Sequence, residues 1–105
     1  MNLPNGARAI VDIQKLRGYV LNPHHTRGRK KARVFAAVGI REPDAEELRI
    51  ALLWAATNAE VRLGVMDLYG QRYNIDFELV RYDRAVKIRS AWIVPAGQNL
   101  PRLTT

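Results

Sequence analysis

The stretch His24-His25-Thr26-Arg27-Gly28-Arg29-Lys30-Lys31-Ala32-Arg33-Val34 puts two histidines and five cations within eleven residues. Cations at this density attract anions, and an imidazole adds a group able to move protons near neutral pH. His25 stands three residues before Gly28, and Lys31 three after it. Glycine tolerates a tight turn, so this spacing predicts that the imidazole and the ammonium face one point. Such a pair suits a phosphodiester. An imidazole takes a proton from a ribose hydroxyl or returns one to a leaving oxygen, and a fixed cation steadies the charge growing on the phosphoryl group. The same residues also read as a solvated basic loop in which the histidines do nothing. His24 and His25 make a poor metal site, because adjacent side chains diverge and no matching Cys or His follows. No cofactor is expected.

The elements that must position this loop follow from the hydrophobic pattern. Residues 7–11 read as a short strand or a lead-in. Asp12 caps a first helix whose Ile13, Leu16 and Val20 share a face, and Asn22-Pro23 ends it. Residues 23–29 form the basic loop. A second helix starts near Lys30, places Lys31 in its first turn, carries Val34, Phe35 and Val38, and stops at Gly39. Pro43-Asp44 opens a third helix, with Asp44 and Glu47 at capping-box spacing and Leu48, Leu52 and Ala55 facing inward. The period then drops from about 3.6 to about 2. Val61, Leu63 and Val65 alternate with Arg62 and Gly64, and Tyr73, Ile75, Phe77 and Leu79 alternate with polar residues. Val86, Ile88, Ser90, Trp92 and Val94 share one face of a further strand, and Arg102-Leu103-Thr104 forms a short last one. Helices first and strands afterwards predict an α+β domain: about three N-terminal helices packed on one face of a C-terminal antiparallel sheet of about four strands. Trp54 and Trp92 both fall in apolar stripes and read as core.

The strands carry further candidates. Alternation sends Arg89 and Ser90 to opposite faces, so a single cleft takes both only at a bulge or a sheet edge. Arg89 either clamps a phosphate or forms a cross-strand ion pair with Asp76 or Glu78. The Thr104 hydroxyl can donate to a phosphate or orient an attacking hydroxyl, but a threonine so placed is more often an ordinary surface residue, and spacing alone does not single it out.

Composition narrows the partner. A chain of 105 residues makes a single domain, 1–105. Seventeen Lys and Arg against ten Asp and Glu give a net charge of +7, and thirteen of the cations are arginine. The planar guanidinium fork fits phosphate oxygens, so a nucleic acid is the first partner to consider. There is no cysteine, which excludes disulfides and thiolate chemistry and fits a reducing compartment. Ser90 is the sole serine and lacks the context of an activated nucleophile. No apolar run is long enough to span a membrane and no signal peptide opens the chain, so a cytoplasmic location is expected.

The order of motifs carries a resemblance. Asn22-Pro23-His24-His25, Gly28, Lys31-Ala32-Arg33-Val34-Phe35 and Gly39 come first. Ile88-Arg89-Ser90-Ala91-Trp92-Ile93-Val94, Gly97 and Pro101-Arg102-Leu103-Thr104 follow. Together they resemble a bacterial family of small uncharacterised domains, which in turn look like members of the ribonuclease-toxin superfamily of barnase, colicin D and RelE. The resemblance implies a helical half followed by an antiparallel sheet, with RNA cut in a cleft on that sheet. It implies His25, Lys31, Ser90 and Thr104 as catalytic candidates, and Arg33, Arg89 and Arg102 as substrate contacts. The expected function is therefore a metal-independent endoribonuclease of toxin type, working by 2′-hydroxyl attack. Such a protein acts in the cytoplasm, or is delivered to a target cytoplasm as the end of a larger toxin. Its expected partners are RNA and a small acidic antitoxin or immunity protein that covers the basic cleft. The alternative is a non-catalytic basic nucleic-acid-binding module that uses the same arginines without proton transfer. A third reading is an immunity or scaffold protein that touches no nucleic acid.

Overall fold

The structure, a computed structural model, describes residues 1–105. A short 3-10 turn, Gly6–Arg8, opens it, and the expected strand at residues 7–11 is reduced to one bridge between Ile10 and Arg102. The Asp12 carboxylate accepts the Gln14 amide at 2.9 Å and starts α1 (Ile13–Lys15). This helix runs on as a π-helical turn, Leu16–Val20, which keeps Leu16 and Val20 buried. The second helix, α2, spans Arg29–Ala36 and buries Phe35, and the chain leaves it through Gly39 at φ +81°.

The third helix, α3 (Ala45–Asn58), buries Leu48, Leu52 and Ala55 as the pattern predicts. Its start differs from the expected capping box. A 3-10 turn, Glu42–Asp44, precedes it, and the Asp44 carboxylate accepts the Arg41 amide at 3.0 Å. Arg81 reaches across from the sheet to Asp44 at 3.4 Å and Glu47 at 3.0 Å, which draws both carboxylates away from the helix end.

The strand half is one antiparallel sheet in the order β1 (Val61–Asp67), β2 (Gly70–Arg81), β3 (Arg84–Pro95), β4 (Arg102–Leu103). Tyr73, Ile75, Phe77 and Leu79 of β2, and Ile88, Ser90 and Trp92 of β3, are buried on one sheet face. The three helices cover that face, and Asp76, Glu78, Lys87 and Arg89 stand out from the other. The fold is α+β, with helices in the N-terminal half and the sheet in the C-terminal half. No helix is long and apolar enough to cross a membrane.

Two expected core positions lie outside. The β1 alternation breaks at a bulge between Leu63 and Met66, so Val61 is buried while Leu63 and Val65 are exposed. Trp92 is 0% exposed, but Trp54 is 58% exposed. Trp54 shares a helix face with Glu47, Ile50 and Ala51, beside the inward stripe rather than on it.

One feature of the sheet sets the sites. The central strands β2 and β3 outlast their outer neighbours. β1 pairs β2 only from Asp67↔Gly70 to Val61↔Ile75, and β4 pairs β3 only at Trp92 and Ile93. Thr104 and Thr105 add hydrogen bonds to Ala91 alone. The remainder of β2 and β3, from Asp76↔Arg89 to the turn at Tyr82-Asp83, is a two-stranded hairpin with a helix along each flank.

Candidate functional site

The basic loop is held by His25 itself. Its Nδ1 accepts the amides of Arg27 and Gly28, both at 3.1 Å. Its ring lies 4.5 Å from the Tyr19 ring, centroid to centroid. Gly28 is pressed against the end of α1. A Cβ at Gly28 would sit 1.9 Å from the Tyr19 carbonyl oxygen. The glycine is thus required by a close approach rather than by an unusual turn, since its φ is −85°. Lys31 Nζ lies 5.7 Å from the Tyr19 ring centroid, so one tyrosine touches both the imidazole and the ammonium.

Lys31 borders a cavity of about 210 Å³ enclosed by the π-helical turn, α2 and β3. Lys87 and Arg89 border the same cavity, over a floor that includes Leu16, Val20 and Phe35. No aspartate or glutamate lines it. Burial, and then the charge of nearby Lys15, hold the Lys31 ammonium below the ordinary lysine pKa. Lys15 is itself anchored by donating to the Thr104 carbonyl at 3.2 Å. Neither His25 nor Tyr19 is a wall of this cavity; His25 is linked to it only through Tyr19 and then Lys31.

Arg89 forms the cross-strand pair. Its Nε and Nη2 donate to Asp76 at 2.9 and 3.1 Å, and Arg62 donates to the same carboxylate at 2.7 Å. The Arg89 hydrogen bond, with the charges of Arg62, Arg89 and Lys87, holds the Asp76 carboxyl below the usual range and pushes the Arg89 guanidinium up. Arg89 and Ser90 nevertheless both border the cavity. The cavity meets β3 where no outer strand covers it, and at an edge residues of both parities are reached.

The hydroxyl candidates are committed to the fold. Ser90 Oγ donates to the Ile75 carbonyl at 3.0 Å and accepts the Trp92 indole N–H at 2.9 Å. Thr104 Oγ1 donates to the Ala91 carbonyl at 3.0 Å. Arg33 and Arg102 are exposed and border no part of the cavity. Lys87 and Thr105 do border it, and sequence reasoning missed both. The signal for Lys87 was its place two residues before Arg89 on one strand face. Thr105 Oγ1 is buried without a hydrogen-bond partner, and nothing in its spacing announces that.

Helices on one face of an antiparallel sheet, with a cation-lined cleft beside the longest hairpin, define a small basic α+β domain. The chain belongs to a family described as a domain of unknown function, DUF6883, whose profile matches residues 2–105. No curated protein and no solved structure matches it.

Proposed function

We propose that the chain is a metal-independent endoribonuclease of toxin type, in which the cleft between α2 and β3 holds the scissile phosphate. One observation carries this reading: Lys31, Lys87 and Arg89 border a single cavity that no aspartate or glutamate lines. The ribose 2′ oxygen bonds to the adjacent phosphorus and the bond to the 5′ oxygen breaks. The products are a 2′,3′-cyclic phosphate and a free 5′-hydroxyl. Lys31 is the base. Its lowered pKa enlarges the free-amine fraction, the amine takes the 2′ proton, and the ammonium so formed returns a proton to the 5′ oxygen. Lys87 and Arg89 hold the non-bridging oxygens as charge builds on them.

His25 has a different task from the one its type suggests. With Nδ1 accepting two amides, the neutral ring carries its proton on Nε2. By accepting those amides it keeps the loop closed, and no free ring nitrogen remains to receive the 2′ proton. A small acidic antitoxin or immunity protein is the partner that such a cationic cleft selects. The test is incubation of the purified protein with single-stranded RNA. Cyclic-phosphate ends that vanish in Lys31→Met support the reading, and RNA that stays intact with wild type overturns it.

A second reading is favoured by the internal commitment of Ser90, Thr104 and His25 Nδ1. It is a nucleic-acid-binding module without chemistry. Three cations on a single strand give a slope of about −2 for log affinity against log salt. That slope without cleavage identifies this reading.

A further inference from the structure

The other flank of the hairpin carries a groove that the phosphate cleft does not use. Beyond Ile75, β2 has a neighbour on the β3 side only. In an antiparallel ladder each residue turns its N–H and C=O to one side, and the side alternates along the strand. Ala91 commits both groups to Thr104 and Thr105, away from β2. Its ladder partner Asn74 therefore turns its own pair toward β1, and Glu78 and Val80, at the same parity, face that side too. They meet no strand there, and no turn or loop hydrogen bond engages their backbone.

Helix α3 forms the opposite wall. Glu47, Ile50, Ala51 and Trp54 recur at the spacing of one helix face and line a groove of about 450 Å³ with Glu78, Val80 and Tyr82. Ile50, Trp54, Val80 and Tyr82 are 59%, 58%, 61% and 88% exposed. Scattered apolar side chains need no explanation, but four large ones from two elements around one groove mark an interaction surface. Glu47 is held by Arg81 at 3.0 Å. Glu78 makes no ion pair, although Lys87 stands opposite it in the ladder.

We propose that this groove takes an extended strand of a partner protein, added to the β2 edge, with apolar side chains toward Trp54 and Ile50 and a lysine or arginine beside Glu78. Unpaired backbone groups call for a strand rather than a helix. Alternation sets its register: side chains on the helix side meet Ile50 and Trp54, and those on the outer face meet Glu78 and Val80. The unpaired carboxylate selects a cation at the outer position. The net charge of +7 opposes a second copy of the chain in this place.

The test uses the intact chain without RNA, so it succeeds or fails independently of the nuclease reading. The probe is the capped peptide Thr-Ile-Lys-Ile-Thr, beside a twin with glutamate in place of lysine. Deuterium exchange of the Glu78 and Val80 amides, followed by NMR, is the readout. The lysine peptide slows both amides by roughly tenfold or more, and the glutamate twin does not. Val80→Pro removes one outward N–H and abolishes the peptide's effect. Trp54→Ala leaves the backbone unchanged and weakens binding, which covers the case of a proline variant that fails to fold. Unchanged exchange at millimolar lysine peptide overturns the proposal, as does equal protection by the glutamate twin. Protection that grows with protein concentration alone overturns it in favour of self-association.

Discussion

The two flanks of the β2–β3 hairpin share a construction and differ in chemistry. On each, a central strand outlasts its outer neighbour and a helix runs alongside. The β3 flank faces α2, which begins Arg29-Lys30-Lys31, and its cavity is bordered by Lys31, Lys87 and Arg89. The β2 flank faces α3, which begins Ala45-Glu46-Glu47, and its groove is mostly apolar, with Arg81 paired to Glu47 and the Glu78 carboxylate unpaired. The strand edges offer the same backbone groups, so the facing helix decides what each flank attracts. A net charge of +7 thus hides a polarity. On the proposals above, one side takes phosphate and the other a protein strand.

The two flanks share one buried root. Trp92 is fully buried, and its indole N–H meets Ser90 Oγ, which in turn holds the Ile75 carbonyl where β1 stops pairing. Trp92→Ala should cost about 3–5 kcal/mol and loosen both flanks together. Trp54→Ala should cost less than about 1 kcal/mol and affect the β2 flank alone. Urea melts of the two variants check this; equal losses would place Trp54 in the core.

Lys31→Met separates the flanks functionally. It removes both a cation and the proposed base, so cleavage should fall by roughly a hundredfold or more. Strand-peptide protection at Glu78 and Val80 should be unchanged. Single-turnover cleavage and amide exchange on the same preparation decide the point. Gly28→Ala should come next. Its methyl meets the Tyr19 carbonyl at 1.9 Å, and the loop must shift at a cost of about 1–3 kcal/mol. RNA affinity should drop with that shift, while the β2 flank keeps its exchange pattern.

Much of this architecture is legible before any coordinates. The β2 alternation of Tyr73, Ile75, Phe77 and Leu79, the inward stripe of α3, and the helices-then-strands order all follow from side-chain period, a local property. What escapes is relational. The bulge after Leu63 leaves only a glycine as its trace, and Trp54 misses the core by one helix flank. Gly28 looks like a turn residue and is in fact squeezed by Tyr19, nine positions earlier in the chain. His25 looks like a base because of its type, yet its Nδ1 is occupied by its own loop. Alternation puts Lys87 on the face of Arg89, but the cleft reaches that face only where β4 has stopped, and strand length relative to a neighbour has no local signature.

The mildest test concerns Asp76, which stands on the outer sheet face where the hairpin leaves the four-stranded part. Its carboxylate draws Arg89 across the strand and so restrains a cation that the cleft would use. Asp76→Asn should release Arg89 and raise RNA affinity a few-fold, with the strand-peptide response unaltered. The accompanying loss of stability should be small, because both partners are solvent-exposed. Its pH dependence has a definite sign. The carboxyl pKa is lowered in the folded chain, so its contribution is present above the unfolded value, near pH 4, and is lost as pH falls through the folded one. Wild type should therefore lose more Tm than Asp76→Asn on acidification below about pH 4, and the two should run parallel above about pH 5. A variant curve parallel to wild type through the acid range would mean that the Arg89–Asp76 pair does not persist in solution, and Arg89 would then already be free to serve the phosphate flank.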